Sequence, residues 1–237
     1  TGAGGAFKAT PLQVGELLYV CTGGNKVIAL NADSGELAWQ FDPLIDPQHL
    51  EFARYFTTGC RGVSYYEAPA EYDGECKQRI LTATTDARLM AIDALTGARC
   101  SQFGEQGEIN LTIGMGNDPL IFNFQTSPPG IVRGNAVVGG WVFDNRSVGE
   151  PSGVVRAFNA ISGEFSWAWD MGRPGINTEP LRGEVYTRGT PNVWSLFSVD
   201  EELGLIYAPT GNETPDYFGG QRLESSEQYA SSIVAID

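Results

Sequence analysis

The stretch ALNADSGELAW, residues 29–39, recurs as AIDALTGARCS at residues 91–101 and as AFNAISGEFSW at residues 157–167. Each copy has Ala, a large apolar residue and Asn or Asp, followed by Ser or Thr and then Gly. An Asn or Asp side chain can bond the backbone of a tight turn, and glycine accepts the positive φ that such a turn needs. The repeat therefore predicts a strand, a tight turn and a strand. Trp39 and Trp167 are expected to seal one unit against the next, whereas the second copy has Ser101 there.

Alternating apolar and polar residues precede each copy, as in ELLYVCTGGNKVIAL from residue 16 and RILTATTDARLMAI from residue 79. Each unit is therefore predicted to hold about four antiparallel strands, and no convincing helical stripe accompanies them. AID from residue 235 starts a fourth copy. The copies are spaced by about 60 to 80 residues, against roughly 40–50 in common propeller blades. We therefore expect insertions at FDPLIDPQHLEFARYFTTG (41–59), GEQGEINLTIGMGNDPLIFNF (104–124) and MGRPGINTEPLRGEVYTRG (171–189).

These patterns predict an all-β protein, a β-propeller with four-stranded antiparallel blades and long loops gathered on one face. The chain is expected to form one partial propeller region, residues 1–237, with repeats near 10–45, 60–105, 126–170 and 190–237. Because a ring needs closure and the last repeat is cut short, we expect this region to belong to a longer protein.

The chain has 15 basic and 29 acidic residues, a formal charge of −14. This charge argues against binding nucleic acid or an anionic membrane through the overall field. No uncharged apolar run approaches the roughly 18 residues that span a bilayer. The four cysteines leave two alternatives open, disulfides formed in an oxidising compartment and buried free thiols.

Several motifs resemble the periplasmic propeller of membrane-bound quinoprotein dehydrogenases, the PQQ-dependent glucose and quinate/shikimate group. They are CRGVSYYEAP (60–69), TSPPGIV (126–132), VFDNRS (142–147), SGVVRAFNAISGE (152–164), TPDYFGG (214–220) and YASSIVAID (229–237). The resemblance runs over essentially the whole chain and implies about half of an eight-bladed propeller, its N-terminal part. It further implies PQQ beside Ca²⁺ or Mg²⁺, oxidation of an alcohol group in a polyol, sugar or cyclic hydroxy acid, and electron transfer to ubiquinone. The parent protein is then expected in the periplasm, anchored in the inner membrane by a segment that this chain lacks.

The same resemblance implies which residues bind the cofactor. PQQ is a planar tricarboxylate, which needs a flat apolar floor and cationic or hydroxyl partners. Arg61 matches the arginine that meets a PQQ carboxylate, and a planar, permanently charged guanidinium suits that role. Thr126 matches a hydroxyl that bonds the cofactor, and Trp194 matches the indole floor. Asn192, two residues before Trp194, is a further polar contact.

Asp144 and Asn145 resemble the cation ligands of the family, because carboxylate and amide oxygens suit Ca²⁺ and Mg²⁺. Thr214 and Asp216 are expected at the same mouth. Tyr66 stands where sugar-oxidising members carry His, which places it in the substrate pocket and disfavours glucose as the substrate. The catalytic carboxylate and lysine of the family are expected beyond Asp237, so we expect no catalytic residue here and an inactive isolated piece.

The cysteines allow one pairing prediction within the second repeat. Cys76 precedes the second strand and Cys100 begins the fourth, so both lie at one end of the blade, about 9.6 Å apart at strand spacing. A bond then requires the loop before Cys76 to fold across the intervening strand. Cys60 opens the first strand at the opposite end and is not expected to join them.

Other functions remain to be weighed. The lone His49 lies in an insertion, and one histidine with no CxxC motif gives zinc sites and Ser-His-Asp chemistry no support. A non-enzymatic scaffold propeller similar to outer-membrane assembly factors would share the repeat. It would not need the cofactor and cation residues together, which favours the dehydrogenase.

Overall fold

The computed structural model describes residues 7–47, 49–50, 59–116 and 123–237. The first blade holds β1 (Leu12–Val14), β2 (Leu17–Cys21), β3 (Val27–Asn31) and β4 (Leu37–Phe41). The second holds β5 (Ser64–Glu67), β6 (Gln78–Ala83), β7 (Arg88–Asp93) and β8 (Glu108–Asn110). Each is a four-stranded antiparallel sheet in sequence order.

The third blade and the last sheet continue this arrangement. A two-stranded ribbon of β9 (Asn123–Phe124) and β12 (Trp141–Val142) flanks the third blade, which holds β10 (Gly130–Val132), β11 (Asn135–Val138), β13 (Val155–Asn159) and β14 (Phe165–Trp169). Three strands form the last sheet: β15 (Ser198–Asp200), β16 (Leu205–Pro209) and β17 (Ile233–Ile236). One short helix, α1 (Glu224–Glu227), precedes β17. The prediction of an all-β fold with four-stranded antiparallel blades is therefore confirmed.

The first strands of neighbouring blades lie side by side, because β10 contacts both β5 and β15. Apolar clusters fill the spaces between blades. One combines Tyr19 and Trp39 of the first blade with Ile80 and Ile92 of the second, and another combines Leu81 of the second with residues of the third. The sheets therefore pack face to face, with their first strands together on the inner side. This is the arrangement of propeller blades.

The repeat turns have the predicted geometry. Asn31 Oδ1 accepts hydrogen bonds from the backbone of Asp33 and Ser34, and Asp93 and Asn159 act in the same way in their own turns. Gly35, Gly97 and Gly163 have φ of 72°, 76° and 75°. All three turns follow the third strand of their blade and so lie at one end of the blades, called here the lower face. The opposite end is the upper face.

Two details of the second blade differ from the prediction. Residues 104–124 are not one insertion, because they contain β8 and the first strand of the ribbon. Cys100 does not begin the fourth strand directly: Arg99 forms an isolated bridge with Ile92, turns follow, and β8 starts only at Glu108. The alternating pattern in residues 99–110 is too short to distinguish an interrupted edge strand from a loop.

Trp39 seals the first two blades as predicted. Its indole Nε1 donates to the carbonyl of Ala94 at 2.9 Å, and its ring lies against the Gly97 turn of the next blade. Trp167 packs in the cluster between the third blade and the last sheet. The second blade, without tryptophan, instead brings the backbone of Gly104 against the Gly163 turn.

The Gly97 contact yields a stability prediction. A Cβ on Gly97 would come within 2.7 Å of the Trp39 ring, whereas a Cβ on Gly35 would meet nothing within 4 Å. Because φ is nearly equal at the two positions, both alanine variants carry the same backbone strain of about 1–2 kcal/mol. Gly97→Ala is expected to lower the free energy of unfolding by at least about 1 kcal/mol more than Gly35→Ala does. Denaturant titration measures this difference, and equal losses would show that the Trp39 contact does not hold the blades together.

Candidate functional site

Arg61 is held at the upper face just before β5. Its backbone N–H donates to Thr126 O at 2.9 Å, and its carbonyl accepts from Thr10 N at 2.8 Å. Its side chain reaches further, because Nη1 donates to Thr126 Oγ1 at 2.6 Å and to the carbonyl of Trp194 at 3.0 Å. The guanidinium carbon lies 4.9 Å from the centre of the Trp194 ring system. Three residues predicted to bind the cofactor, from three different blades, therefore meet at one place.

The charge of this cluster is not neutralised locally. Among the ion pairs of the described residues, none includes Arg61, and its hydrogen bonds go to a hydroxyl and a carbonyl. Burial lowers the pKa of the guanidinium from its ordinary value, although arginine stays charged at neutral pH. A partly desolvated cation without a carboxylate partner favours an anionic ligand.

Trp194 offers a flat surface beside this cation. Its side chain is 41% exposed, which is unusual for tryptophan, while its carbonyl accepts from Arg61, Thr126 and Ser127. The crevice next to Trp194, lined also by Gly139 and Gly140, encloses only about 10 Å³, room for about one water molecule. A planar ligand could therefore bind only on the open side of the indole.

Asn192 lies two residues before Trp194 and is 1% exposed. In the described part of the chain, neither its Oδ1 nor its Nδ2 makes a hydrogen bond of normal geometry. The amide nevertheless lies close enough to Asp144 to offset part of the rise that burial causes in the pKa of that carboxyl. A buried amide with unused capacity is costly unless a further group bonds it. Asn192 thus connects the Trp194 segment to the predicted cation ligands.

The loop between β12 and β13 brings Asp144 and Asn145 to the upper face, where the loop after β16 meets them. The backbone N–H of Asp216 donates to Asp144 O at 2.8 Å. Burial and the nearby Asp216 carboxylate raise the pKa of Asp144, with a smaller contribution from Glu150. Closely placed carboxylates of this kind suit a hard divalent cation.

Asn145 is exposed and orients its amide away from a shared cation position. Its Nδ2 donates to Asp144 Oδ1 at 3.2 Å, and its Oδ1 accepts from the backbone N–H of Tyr217 at 3.3 Å. Joint coordination of one ion would require the amide to turn over and release Tyr217. The predicted pairing of Asp144 and Asn145 as ligands therefore remains a prediction.

The structure adds Asn212 to this group, which the sequence analysis missed. Its Nδ2 donates to Asp216 Oδ1 at 2.6 Å, and its Oδ1 accepts from Ser231 Oγ. Thr214 lies in the same loop and donates to Val148 O at 3.1 Å, so it links the two loops. The only sequence signal for Asn212 was its position in a Gly-Asn pair directly after a strand.

Tyr66 lies apart from the other predicted site residues. It belongs to β5, which runs from the upper face at Arg61 toward the lower face, and its hydroxyl lies against the Gly134 turn of the third blade. Its neighbours there include Arg79 and Glu201, whose charges act on its pKa. The structure thus places Tyr66 at the other end of the strand, and its role in a substrate pocket stays a prediction that this geometry does not support.

In the described part of the chain, no three side chains from His, Cys, Asp and Glu come together as a metal centre. A cation held by Asp144 and Asp216 would therefore need amide, backbone or ligand oxygens as well. His49 lies with Nε2 2.5 Å from the carbonyl of Thr85, outside the cluster around Arg61.

The comparisons with known proteins agree with this architecture. The profile of the family described as "PQQ: Glucose/ethanol/alcohol dehydrogenase, beta-propeller domain" matches residues 1–237. The chain belongs to this family. The quinohemoprotein alcohol dehydrogenase structure from Comamonas testosteroni has a TM-score of 0.70 and 23% identity, over 98% of this chain and 33% of that one. At this identity the likeness shows the propeller fold.

Curated relatives in the quinoprotein family are more similar in sequence. The quinoprotein glucose dehydrogenase of Escherichia coli is 39% identical over 97% of this chain and 29% of its own length. The glycerol dehydrogenase large subunit of Gluconobacter oxydans is 38% identical over 98% of this chain and 31% of its own length. The quinate/shikimate dehydrogenase (quinone) of Acinetobacter baylyi is 34% identical over 100% of this chain and 30% of its own length. The chain thus spans about three tenths of the length of these relatives.

This family membership decides between the two alternatives from the sequence. The chain is of quinoprotein dehydrogenase lineage, an oxidoreductase family, rather than a scaffold propeller. Within the described residues, no helix is long and apolar enough to cross a membrane.

All four cysteines of this quinoprotein chain are paired. Cys76 and Cys100 are bonded with their Cα atoms 5.7 Å apart, the pairing expected from the sequence. The second bond, between Cys21 and Cys60 with Cα atoms 5.9 Å apart, was not foreseen. The four cysteines thus form disulfides rather than buried free thiols.

The raised pKa of Asp144 gives a prediction for the metal-free protein. A carboxyl whose folded pKa lies above its unfolded value of 3.8 favours folding when protonated, and this contribution is lost as the pH rises through the folded pKa. Asp144→Asn is therefore expected to raise the free energy of unfolding at pH 7 in the presence of a chelator. The gain should disappear below pH 3.8.

Denaturant titrations at pH 7 and at acid pH measure this effect, with the exposed Asp33 of a repeat turn replaced by Asn as the control. A loss of stability at pH 7 in the Asp144→Asn variant would contradict the repulsion between Asp144 and Asp216.

Proposed function

We propose that this chain supplies part of the cofactor and cation site of a longer quinoprotein dehydrogenase. The enzyme oxidises an alcohol group of a polyol, sugar or cyclic hydroxy acid with PQQ. One observation carries the proposal: Arg61, a cation without a carboxylate partner among the described residues, meets Thr126 beside the exposed face of Trp194. The chemistry of these three groups matches a flat, aromatic polycarboxylate.

The residues around Arg61 fit the parts of PQQ. Arg61 and Thr126 would bond its carboxylates, and Trp194 would stack against its rings. Asn192 has buried amide atoms with unused hydrogen-bonding capacity at the same edge. When bound, PQQ supplies the oxidant for the alcohol, because its ortho-quinone accepts two electrons and two protons.

Asp144 and Asp216 would hold Ca²⁺ or Mg²⁺, with Asn145, Asn192 or Asn212 supplying amide oxygens. Both ions prefer oxygen ligands, and the mutual repulsion of the two carboxylates favours a cation between them. The carbonyl and carboxylate oxygens of PQQ would complete the coordination. A hard cation at this place would polarise the reactive carbonyl of the cofactor.

The general base for alcohol oxidation is not assigned to this chain. The proposal places the catalytic carboxylate and lysine beyond Asp237, so the isolated 237-residue piece should be inactive. It also includes ubiquinone as the electron acceptor and an inner-membrane anchor elsewhere in the enzyme. The two disulfides support a periplasmic location, because such bonds persist in oxidising compartments.

The substrate is proposed only as a class. Relatives with comparable identity are named for glucose, glycerol and quinate/shikimate. The expectation that Tyr66 disfavours glucose loses its structural reason, since this side chain lies against Gly134 at the lower face. An assay of the full-length enzyme, loaded with PQQ and Ca²⁺, against glucose, glycerol, quinate and shikimate with a dye acceptor would identify the substrate. No PQQ-dependent oxidation of any of them would contradict the proposal.

Arg61 gives the sharpest prediction for cofactor binding. Arg61→Gln keeps a polar side chain but removes the charge, and a hydrogen bond to a charged group contributes about 1.5–3 kcal/mol. The Kd for PQQ is therefore expected to rise about tenfold to a hundredfold. Equilibrium dialysis of the full-length apoprotein with PQQ and Ca²⁺ measures it.

Arg133→Gln serves as the control, because Arg133 lies in the lower-face turn between β10 and β11 and contacts Glu202 O. The same Kd in wild type and in Arg61→Gln would remove Arg61 from the cofactor site.

A further inference from the structure

The disulfide between Cys21 and Cys60 lies directly beside the proposed cofactor site. Cys21 is the last residue of β2 in the first blade, and Cys60 immediately precedes Arg61. Both cysteines are buried, at 0% and 2% exposure. The bond joins residues that are 39 apart in sequence. It therefore fixes the residue directly before Arg61 to the first blade.

In the described part of the chain, two backbone hydrogen bonds and the packing of Val63 in the cluster with Tyr19 and Trp39 also hold the backbone around Arg61. Its N–H bonds Thr126 O, and its carbonyl bonds Thr10 N. Gly62 follows in close contact with Pro128 and the carbonyl of Thr10, so Arg61 lies between the first and third blades. The disulfide adds a covalent link on the side of the first blade.

The other disulfide has a different position. Cys76 precedes β6, which begins at the lower face, and Cys100 follows the Gly97 turn of the same face. Both ends of that bond belong to one blade, and neither adjoins a predicted site residue. It is therefore a control within the same chain: a disulfide that should stabilise the fold without acting on Arg61.

We infer that the Cys21–Cys60 disulfide is a positioning device that holds Arg61 for its anionic ligand. The inference rests on the proposed function. A binding group is effective only when its supporting contacts fix its geometry, and a crosslink removes alternative positions that would be lost again on binding. Without the bond, the covalent link to the first blade next to Arg61 is lost, and the Thr10 hydrogen bond and the packing of Val63 would hold this segment on that side.

The test compares Cys21→Ser/Cys60→Ser with Cys76→Ser/Cys100→Ser in the full-length apoprotein. With PQQ and Ca²⁺ in equilibrium dialysis, the first variant should bind PQQ on the order of tenfold more weakly, as for loss of other supporting contacts. The second variant should bind as wild type does. Equal affinities in all three proteins, or equal losses in both variants, would overturn the inference.

A double-mutant cycle separates positioning from general stability. In an Arg61→Gln background, loss of Cys21–Cys60 should change PQQ affinity by less than about twofold, because the group that it positions is gone. The same roughly tenfold loss in that background would show that the bond acts on the fold and not through Arg61.

A measurement on the unmutated protein remains possible if the serine variant does not fold. Reduction of Cys21–Cys60 by dithiothreitol takes two electrons and two protons and gives two thiols, while dithiothreitol becomes its cyclic disulfide. Because coupling is reciprocal, bound PQQ in its quinol form, which dithiothreitol cannot reduce further, should raise the dithiothreitol concentration for half-reduction of Cys21–Cys60 but not of Cys76–Cys100. Alkylation of the thiols and peptide mapping distinguish the two pairs.

The outcomes separate the two proposals. If wild-type apoprotein with Ca²⁺ does not bind PQQ, the proposed function fails and this inference fails with it. If PQQ binds but gives Cys21–Cys60 no more protection than Cys76–Cys100, only the positioning role is overturned.

Discussion

The side-chain hydrogen bonds that close the repeat turns determine the rest of the architecture. Asn31, Asp93 and Asn159 each accept from two backbone N–H groups, and the following glycine takes the positive φ. These turns are short and always join the third and fourth strands, so they fix one face of every blade. Arg61, Thr126 and Trp194 precede the first strand of a sheet and Asp144 follows a second strand, so these residues emerge at the opposite face. A site built from loops of several blades follows from that constraint.

Two buried arginines, Arg79 and Arg156, connect neighbouring blades through hydrogen bonds to backbone carbonyls. Arg79 is 1% exposed and donates to the carbonyls of Ala160 and Ile161 in the third-blade turn. Arg156 donates to Leu111 O and Ile113 O beyond β8, and burial lowers its pKa from the ordinary value. Carbonyl groups accept hydrogen bonds from both guanidinium groups and so lower the cost of burying their charges, although Arg156 Nε has no partner among the described residues. Polar links of fixed geometry thus accompany the apolar packing between blades.

The sequence predicted the fold well because the decisive information is local. A turn needs Asn or Asp and Gly a few residues apart, and alternation needs only neighbouring residues. The Cys21–Cys60 bond was missed because it depends on how two blades sit side by side, whereas strand order within one blade suffices for Cys76–Cys100. Tyr66 lies five residues after Arg61, but along an extended strand of about 3.3 Å per residue closeness in sequence does not give closeness in space.

The site separates its charges in a way that the fold alone does not explain. Arg61 lacks a carboxylate partner among the described ion pairs although acidic residues outnumber basic ones by 29 to 15, while burial and the nearby Asp216 raise the pKa of Asp144. An ion pair between Arg61 and one of these carboxylates would have compensated the charge of Arg61 and reduced the repulsion between Asp144 and Asp216. A ligand that carries carboxylates and shares a divalent cation would do both. The separation of the Arg61 charge from the Asp144 and Asp216 carboxylates therefore favours joint binding of an anion and a cation, each increasing the affinity for the other.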